Sequence, residues 1–201
     1  MIRNIIFDFG AVLVDWDPRR LYVPYFGDPD RADRFLTEIC PYSWNTQADG
    51  GRPTAEITAE RIALFPAWEK EIRMYYDRWI EMMGDEIPGM EELVRELKGR
   101  GYGLYGLTNW SRETFPLVRG RYPVFGLLDG IVVSGEEMTK KPDPALYRIL
   151  LERYGLRGEE CVFIDDNPQN ASGGASLGIR GIVFRDAEQT RSELERMLAE
   201  E

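Results

Sequence analysis

Short apolar runs alternate with stretches of helical periodicity along most of this chain. Buried strands are expected at Asn4 to Phe9, Gly103 to Leu107, Gly130 to Val133, Cys161 to Ile164 and Gly181 to Phe184. Between them the apolar spacing turns helical. From Pro88 to Lys98, Met90, Leu93, Val94 and Leu97 share one face, behind a first-turn proline and the early acids Glu91 and Glu92. A second helix begins at Asp143-Pro144, a capping aspartate before a first-turn proline, and runs to about Tyr154 before Gly155. A third spans Glu188 to Leu198, with Leu194 and Leu198 on one side. This alternation predicts an α/β fold with a parallel sheet, right-handed crossovers and a site at the carboxyl ends of the strands.

Residues 15 to 86 break the rhythm. They contain no convincing strand, are rich in Trp, Tyr and Arg, and read as helical near Pro29 to Ile39, Pro53 to Leu64 and Ala67 to Met82. The expected organisation is a helical cap, 15–86, inserted in a core made of 1–14 and 87–201. Such a cap would lie over the strand ends, exclude water and choose the substrate.

Composition narrows the chemistry. With 201 residues, 43% of them hydrophobic, the chain can bury a sizeable core. The formal charge of -10 opposes approach to nucleic acid or an anionic membrane. The apolar runs are short and the N-terminus has no basic flank, so a cytoplasmic protein, monomer or homodimer, is expected. Cys40 and Cys161, the only cysteines, are expected to be buried thiols. The chain has no histidine, which excludes Ser-His-Asp and Cys-His schemes and imidazole metal sites. Carboxylates, lysine and a hard metal must do the work.

Polar residues recur just beyond four of the apolar runs: Asp8, Thr108-Asn109, Lys141 and Asp165-Asp166. Each alone fits an ordinary turn or a solvated charge. In a parallel sheet they converge, and the chemistry that uses the whole set is phosphoryl transfer through an aspartyl-phosphate. Clustered carboxylates repel one another unless a cation neutralises them, and Mg²⁺ favours such oxygen ligands. Lys141 would offset the remaining charge, while Thr108 and Asn109 donate to phosphoryl oxygens.

With these residues the chain resembles the haloacid dehalogenase superfamily, in its branch of small phosphatases with a helical cap, including sugar-1-phosphate phosphatases and the soluble epoxide hydrolase N-terminal group. Phe7-Asp8-Phe9-Gly10-Ala11-Val12-Leu13 looks like the first motif, Leu107-Thr108-Asn109 the second, Lys141-Pro142-Asp143-Pro144 the third, and Phe163-Ile164-Asp165-Asp166-Asn167 with Asn170 the fourth. The resemblance implies a Rossmann-like core, with Asp8 as nucleophile and Thr108 as phosphate ligand. It makes Lys141 the charge partner and puts Mg²⁺ at Asp8, the Gly10 carbonyl, Asp165 and Asp166. Lys140 is read as a surface charge beside the family lysine.

Gly10 departs from the pattern, since most of these phosphatases carry a proton-handling aspartate there. Asp15 and Asp17 are nearby candidates to replace it. The expected activity is hydrolysis of a small phosphorylated metabolite, with a sugar phosphate as one candidate. Two alternatives remain open: a 2-haloacid dehalogenase, whose halide needs no proton and which Arg19 or Arg20 would cradle, and a phosphate-binding protein with little turnover. Trp16, Arg19, Arg20, Trp44, Asn45 and Asp49 are candidate cap contacts, Trp110 a candidate wall on the core side, and Gly50-Gly51 a turn that would let the cap approach the site.

Overall fold

In the computed structural model, which describes residues 1–199, five parallel strands form the central sheet: β1 (Asn4–Phe7), β4 (Gly103–Thr108), β5 (Gly130–Val133), β6 (Cys161–Asp165) and β7 (Arg180–Val183). Their order is β5-β4-β1-β6-β7, with β1 at the centre and β4 and β6 hydrogen-bonded on either side of it. The chain builds one half of the sheet outward from β1 and then returns to build the other. This switch point opens a crevice beyond the carboxyl ends of β1, β4 and β6, where open α/β sheets bind ligands.

The apolar runs read as continuous because both faces of the sheet are covered. Ile5 and Phe7 of β1 pack with Leu93, Val94 and Leu97 of the helix Met90–Gly99, whereas Ile6 turns to the other face, toward Leu146, Tyr147 and Leu150 of the helix Pro144–Tyr154. Burying each such side chain contributes about 1.5–3 kcal/mol. Asp143 caps its helix through the Ala145 N–H at 2.9 Å, and Gly155 closes it in the left-handed conformation, as expected. Pro88 is not the first helical residue of Met90–Gly99: Gly89, at φ +80°, forms the cap instead. The last helix, Ala187–Ala199, buries Leu194, and both cysteines are free and buried.

The segment after β1 differs from expectation in its strands and in two of its helices. Two short strands, β2 (Val14–Trp16) and β3 (Met83–Glu86), pair antiparallel at its two ends. At three and four residues both are too short for a pattern to mark them, so pairing defines them. Between them lie helices Arg19–Phe26, Pro29–Arg34, Tyr42–Asp49, Thr54–Leu64 and Glu69–Asp77, with a wider π turn at Phe35–Ile39. Their interior is largely aromatic: Tyr22 lies 4.7 Å from Phe35, and Trp44 5.0 Å from Tyr75. The helix Arg19–Phe26 has Pro24 inside it, and Tyr42–Asp49 buries Asn45 and Asp49. Both features hide helices from a periodicity argument.

Candidate active site

At the end of β1 the chain turns sharply, with the Val12, Leu13 and Val14 N–H groups all directed at the Phe9 carbonyl. Asp8 is held at the start of this turn by its own N–H, which donates to Ile164 O on β6. Its Oδ1 accepts from the Phe9 N–H at 2.7 Å and from Lys141 Nζ at 2.8 Å. Among the described residues no donor reaches Oδ2.

Lys141 has a fully buried side chain whose ammonium uses all three hydrogens: Asp8 Oδ1, Asp165 Oδ2 at 2.6 Å and Leu107 O at 2.9 Å. Its backbone is clamped by Asn109, whose amide oxygen accepts from Lys141 N at 2.8 Å and whose Nδ2 donates to Lys141 O at 3.0 Å. Asn109 therefore positions the lysine and keeps one amide hydrogen for the cavity it lines. The neighbouring Thr108 Oγ is buried without a partner at the end of β4, and the residue lies behind the cavity lining. Such an orphaned hydroxyl is costly unless a ligand meets it.

Asp165, fully buried at the end of β6, spends Oδ1 on the Asn167 N–H and Asn170 Nδ2. Asp166 is exposed. Carboxylate oxygens of Asp8, Asp165 and Asp166 lie within 4.8 Å of one another. Burial, and then the Asp165 charge, push Asp166 above the usual carboxylate range. Burial raises Asp8 as well; Lys141 opposes that and Asp165 adds to it. Three hard oxygen donors with one ammonium among them can hold a divalent cation.

Above this cluster lies a cavity of about 290 Å³, lined on the core side by Asp8, Gly10, Asn109, Trp110, Asp166 and Asn170. The opposite wall is Trp16, Tyr42, Asn45, Asp49 and Trp79. Trp16 stacks on Trp79 at 5.4 Å. Tyr42 and Trp79 were not anticipated, because aromatic residues crowd this whole segment and nothing local separates lining from packing.

Several expected contacts fall elsewhere. Trp44 packs inside the inserted helices and donates to Ile57 O at 3.1 Å. Arg19 pairs with Asp33 and Arg20 with Asp15, outside the cavity lining, so neither arginine is placed to cradle halide and Asp15 is not placed to supply a proton. Asp17 accepts from the Arg19 N–H at 2.8 Å, in a turn outside the lining. Each meets a local partner sooner than the cavity. Lys140 is no solvated surface charge: it donates to Thr46 O at 3.1 Å and ties the core to the helix Tyr42–Asp49. Ser134 Oγ, at the end of β5, donates to Asp49 O and reinforces that tie. Gly51, at φ +95°, passes Met138 so closely that an added Cβ would lie 2.3 Å from its sulfur. The Gly50-Gly51 turn therefore meets the core at Met138 and Gly135, outside the cavity lining where it was expected to approach.

This chain is similar to known proteins. Drimenol cyclase of Aspergillus calidoustus is 33% identical over 96% of this chain, which spans 36% of that protein's length. D-ribitol-5-phosphate phosphatase of Bacteroides thetaiotaomicron is 22% identical over 96% of this chain and 97% of its own. Among solved structures, a HAD family enzyme from Bacteroides thetaiotaomicron, in complex with magnesium and inorganic phosphate, has the same fold. Its TM-score is 0.69 at 23% identity, over 92% of this chain and 96% of that one. The family model for haloacid dehalogenase-like hydrolases matches residues 27–178, and with that match over most of its length this chain belongs to the haloacid dehalogenase-like hydrolase family.

Proposed function

We propose that the chain is a Mg²⁺-dependent phosphatase that hydrolyses a small phosphate monoester through an aspartyl-phosphate on Asp8. The observation that carries the reading is the grouping of Asp8, Asp165 and Asp166 within 4.8 Å around the Lys141 ammonium, beneath a cavity of about 290 Å³. Family membership and the phosphatase among the relatives support it.

Asp8 Oδ2 is the nucleophile, since Oδ1 is held by Phe9 and Lys141. The lysine opposes the effect of burial on Asp8 and draws charge from the phosphoryl oxygens as they approach. Thr108 Oγ, without a protein partner, is a donor for one of those oxygens, and the spare Asn109 amide hydrogen serves another. Asp8, Asp166, Asp165 and the Gly10 carbonyl would hold Mg²⁺, which supplies charge neutralisation for the phosphoryl group when bound. The inserted helices act as a cap over 15–86, with Trp16, Trp79 and Trp110 giving apolar faces and Asn45 and Asp49 polar contacts. That mixture suits a small polyol phosphate better than a bare phosphate.

The test is phosphate release from a panel of phosphorylated metabolites with Mg²⁺, beside EDTA-treated enzyme and Asp8→Asn. Activity lost in both controls is expected. An Asp8→Asn variant that matches wild type sinks the proposal, and metal-independent chloride release from 2-chloropropionate would replace it with dehalogenation.

A further inference from the structure

The first-motif glycine leaves the reaction without a carboxyl beside Asp8 to protonate the departing oxygen. On the cavity wall facing the strand ends, Asp49 is the only carboxylic acid among the described residues. The other two acids of the lining, Asp8 and Asp166, belong to the cluster beneath. We infer that Asp49, reaching the cavity from the inserted helices, is the general acid that protonates the leaving group. This rests on the phosphatase reading given above.

Three features place Asp49 for that task. Its helix is pinned to the core at both Ser134 and Lys140, so its position over the strand ends is set by the core and not by the inserted helices alone. Its Oδ2 lies 3.4 Å from Asn45 Nδ2, and the Asn45 amide oxygen in turn accepts from Tyr76 OH at 3.0 Å, which orients the amide toward the acid. The side chain is buried yet lines the cavity, and burial, reinforced by the Asp8 charge, raises its pKa to about 8 against the opposing pull of Lys140, the Ser111 N–H and Lys141. Burial thus favours the protonated form that a donor needs.

The step balances without further reagents. Asp8 Oδ2 forms a bond to phosphorus as the bond to the ester oxygen breaks; that oxygen keeps the electron pair and takes the Asp49 proton, leaving as the alcohol. Asp49, now a carboxylate, accepts a proton from water as the water oxygen bonds to phosphorus and the Asp8–phosphorus bond breaks. Inorganic phosphate departs and both carboxyl groups return to their starting states.

The test is the dependence of kcat/KM on the leaving group, which a merely structural role for Asp49 would not change. The substrates are 2,4-dinitrophenyl phosphate, whose leaving group needs no proton, and the best alkyl phosphate found for the wild type. Asp49→Asn is expected to widen the ratio between them by about 10²- to 10⁴-fold. Adding Gly10→Asp to that variant should narrow the ratio again, because a Cβ at Gly10 meets nothing within 4 Å and the new carboxyl is free to enter the site. A ratio unchanged by Asp49→Asn overturns the assignment. Should Asp49→Asn fail to fold, Gly10→Asp alone decides. Narrowing of less than about 10-fold means an acid already serves the site and supports Asp49, whereas narrowing of about 10-fold or more means none did and Asp49 is not the donor. A wild type inactive on every ester is a failure of the phosphatase reading itself, and is distinct from these outcomes.

Discussion

Replacing Lys141 with methionine keeps the volume and flexibility of the side chain and removes only its charge and its three hydrogen bonds. The ammonium sits with its side chain 0% exposed between Asp165, also 0% exposed, and Asp8, 12% exposed. Water cannot replace it there. Breaking a buried pair by removing one partner typically costs about 3–5 kcal/mol, because the remaining charge stays buried and unpaired. In a domain of this length about 1 kcal/mol moves Tm by roughly 2–4 °C, so a fall of about 6–20 °C is expected for the metal-free protein in EDTA. The loss must depend on pH. Without the ammonium, Asp8 lacks the main attraction opposing its burial and holds its proton to higher pH in the folded state, so destabilisation is small in acid and grows toward alkaline pH. Urea denaturation of both proteins at pH 5 and pH 8 reads this directly. Lys141→Met combined with Asp165→Asn should lose less than Lys141→Met alone, since the second change removes one of the stranded charges. A loss below about 1 kcal/mol, or the same loss at both pH values, refutes the argument that this lysine is the counter-charge of a dry carboxylate pair.

Other tests probe the walls of the site. Gly106→Ala would place a Cβ 2.4 Å from the Phe9 ring, which itself stacks on Phe125 at 4.4 Å, so overpacking should cost about 1–3 kcal/mol in urea denaturation. The Phe9 N–H also holds Asp8 Oδ1, so kcat should fall with it; unchanged stability would mean that the ring relocates freely. Asp49→Asn should stabilise the protein increasingly as pH rises. The folded carboxyl is raised from 3.8 to about 8, so its contribution is intact below about pH 4 and is lost as pH climbs toward 8, whereas asparagine has nothing to lose. Lys140, Lys141 and Asp8 face the same carboxyl, so the difference between the two proteins is the quantity to follow. A difference that stays flat from pH 4.5 to 8.5 would show that Asp49 is not desolvated.

Much of the core is legible in the sequence because its elements obey local rules. Runs such as Ile5-Ile6-Phe7 and Val162-Phe163-Ile164 are buried on both faces of a parallel sheet, and that environment selects uninterrupted apolar residues. The helix beginning at Asp143-Pro144 carries its own start and stop signals. Asp8, Thr108 and Asp165-Asp166 each lie at the end of such a run, and a parallel sheet brings those ends together whatever the intervening sequence, whereas Lys141 lies beyond the helix Ser134–Glu137 and is held at the site by Asn109. The strands β2 and β3 were hidden because segments of three and four residues become strands only by pairing with each other. The helix Tyr42–Asp49 was hidden for a different reason: its buried face carries Asn45 and Asp49, polar residues that serve a cavity and so erase the apolar stripe.

The α/β core, the strand-end carboxylates, the lysine and the absence of an aspartate at position 10 follow from the order of residues alone. All of these depend on neighbours in the chain or on the fixed direction of parallel strands. Which carboxyl lines the cavity beside that glycine follows instead from how distant segments pack. Asp15 and Asp17, near in sequence, turn to Arg20 and to the Arg19 N–H, whereas Asp49, remote in sequence, lines the cavity with Asp8. The reason is that the docking of the inserted helices on the core is set by long-range contacts, from Ser134 to Asp49 and from Lys140 to Thr46, which no local pattern encodes.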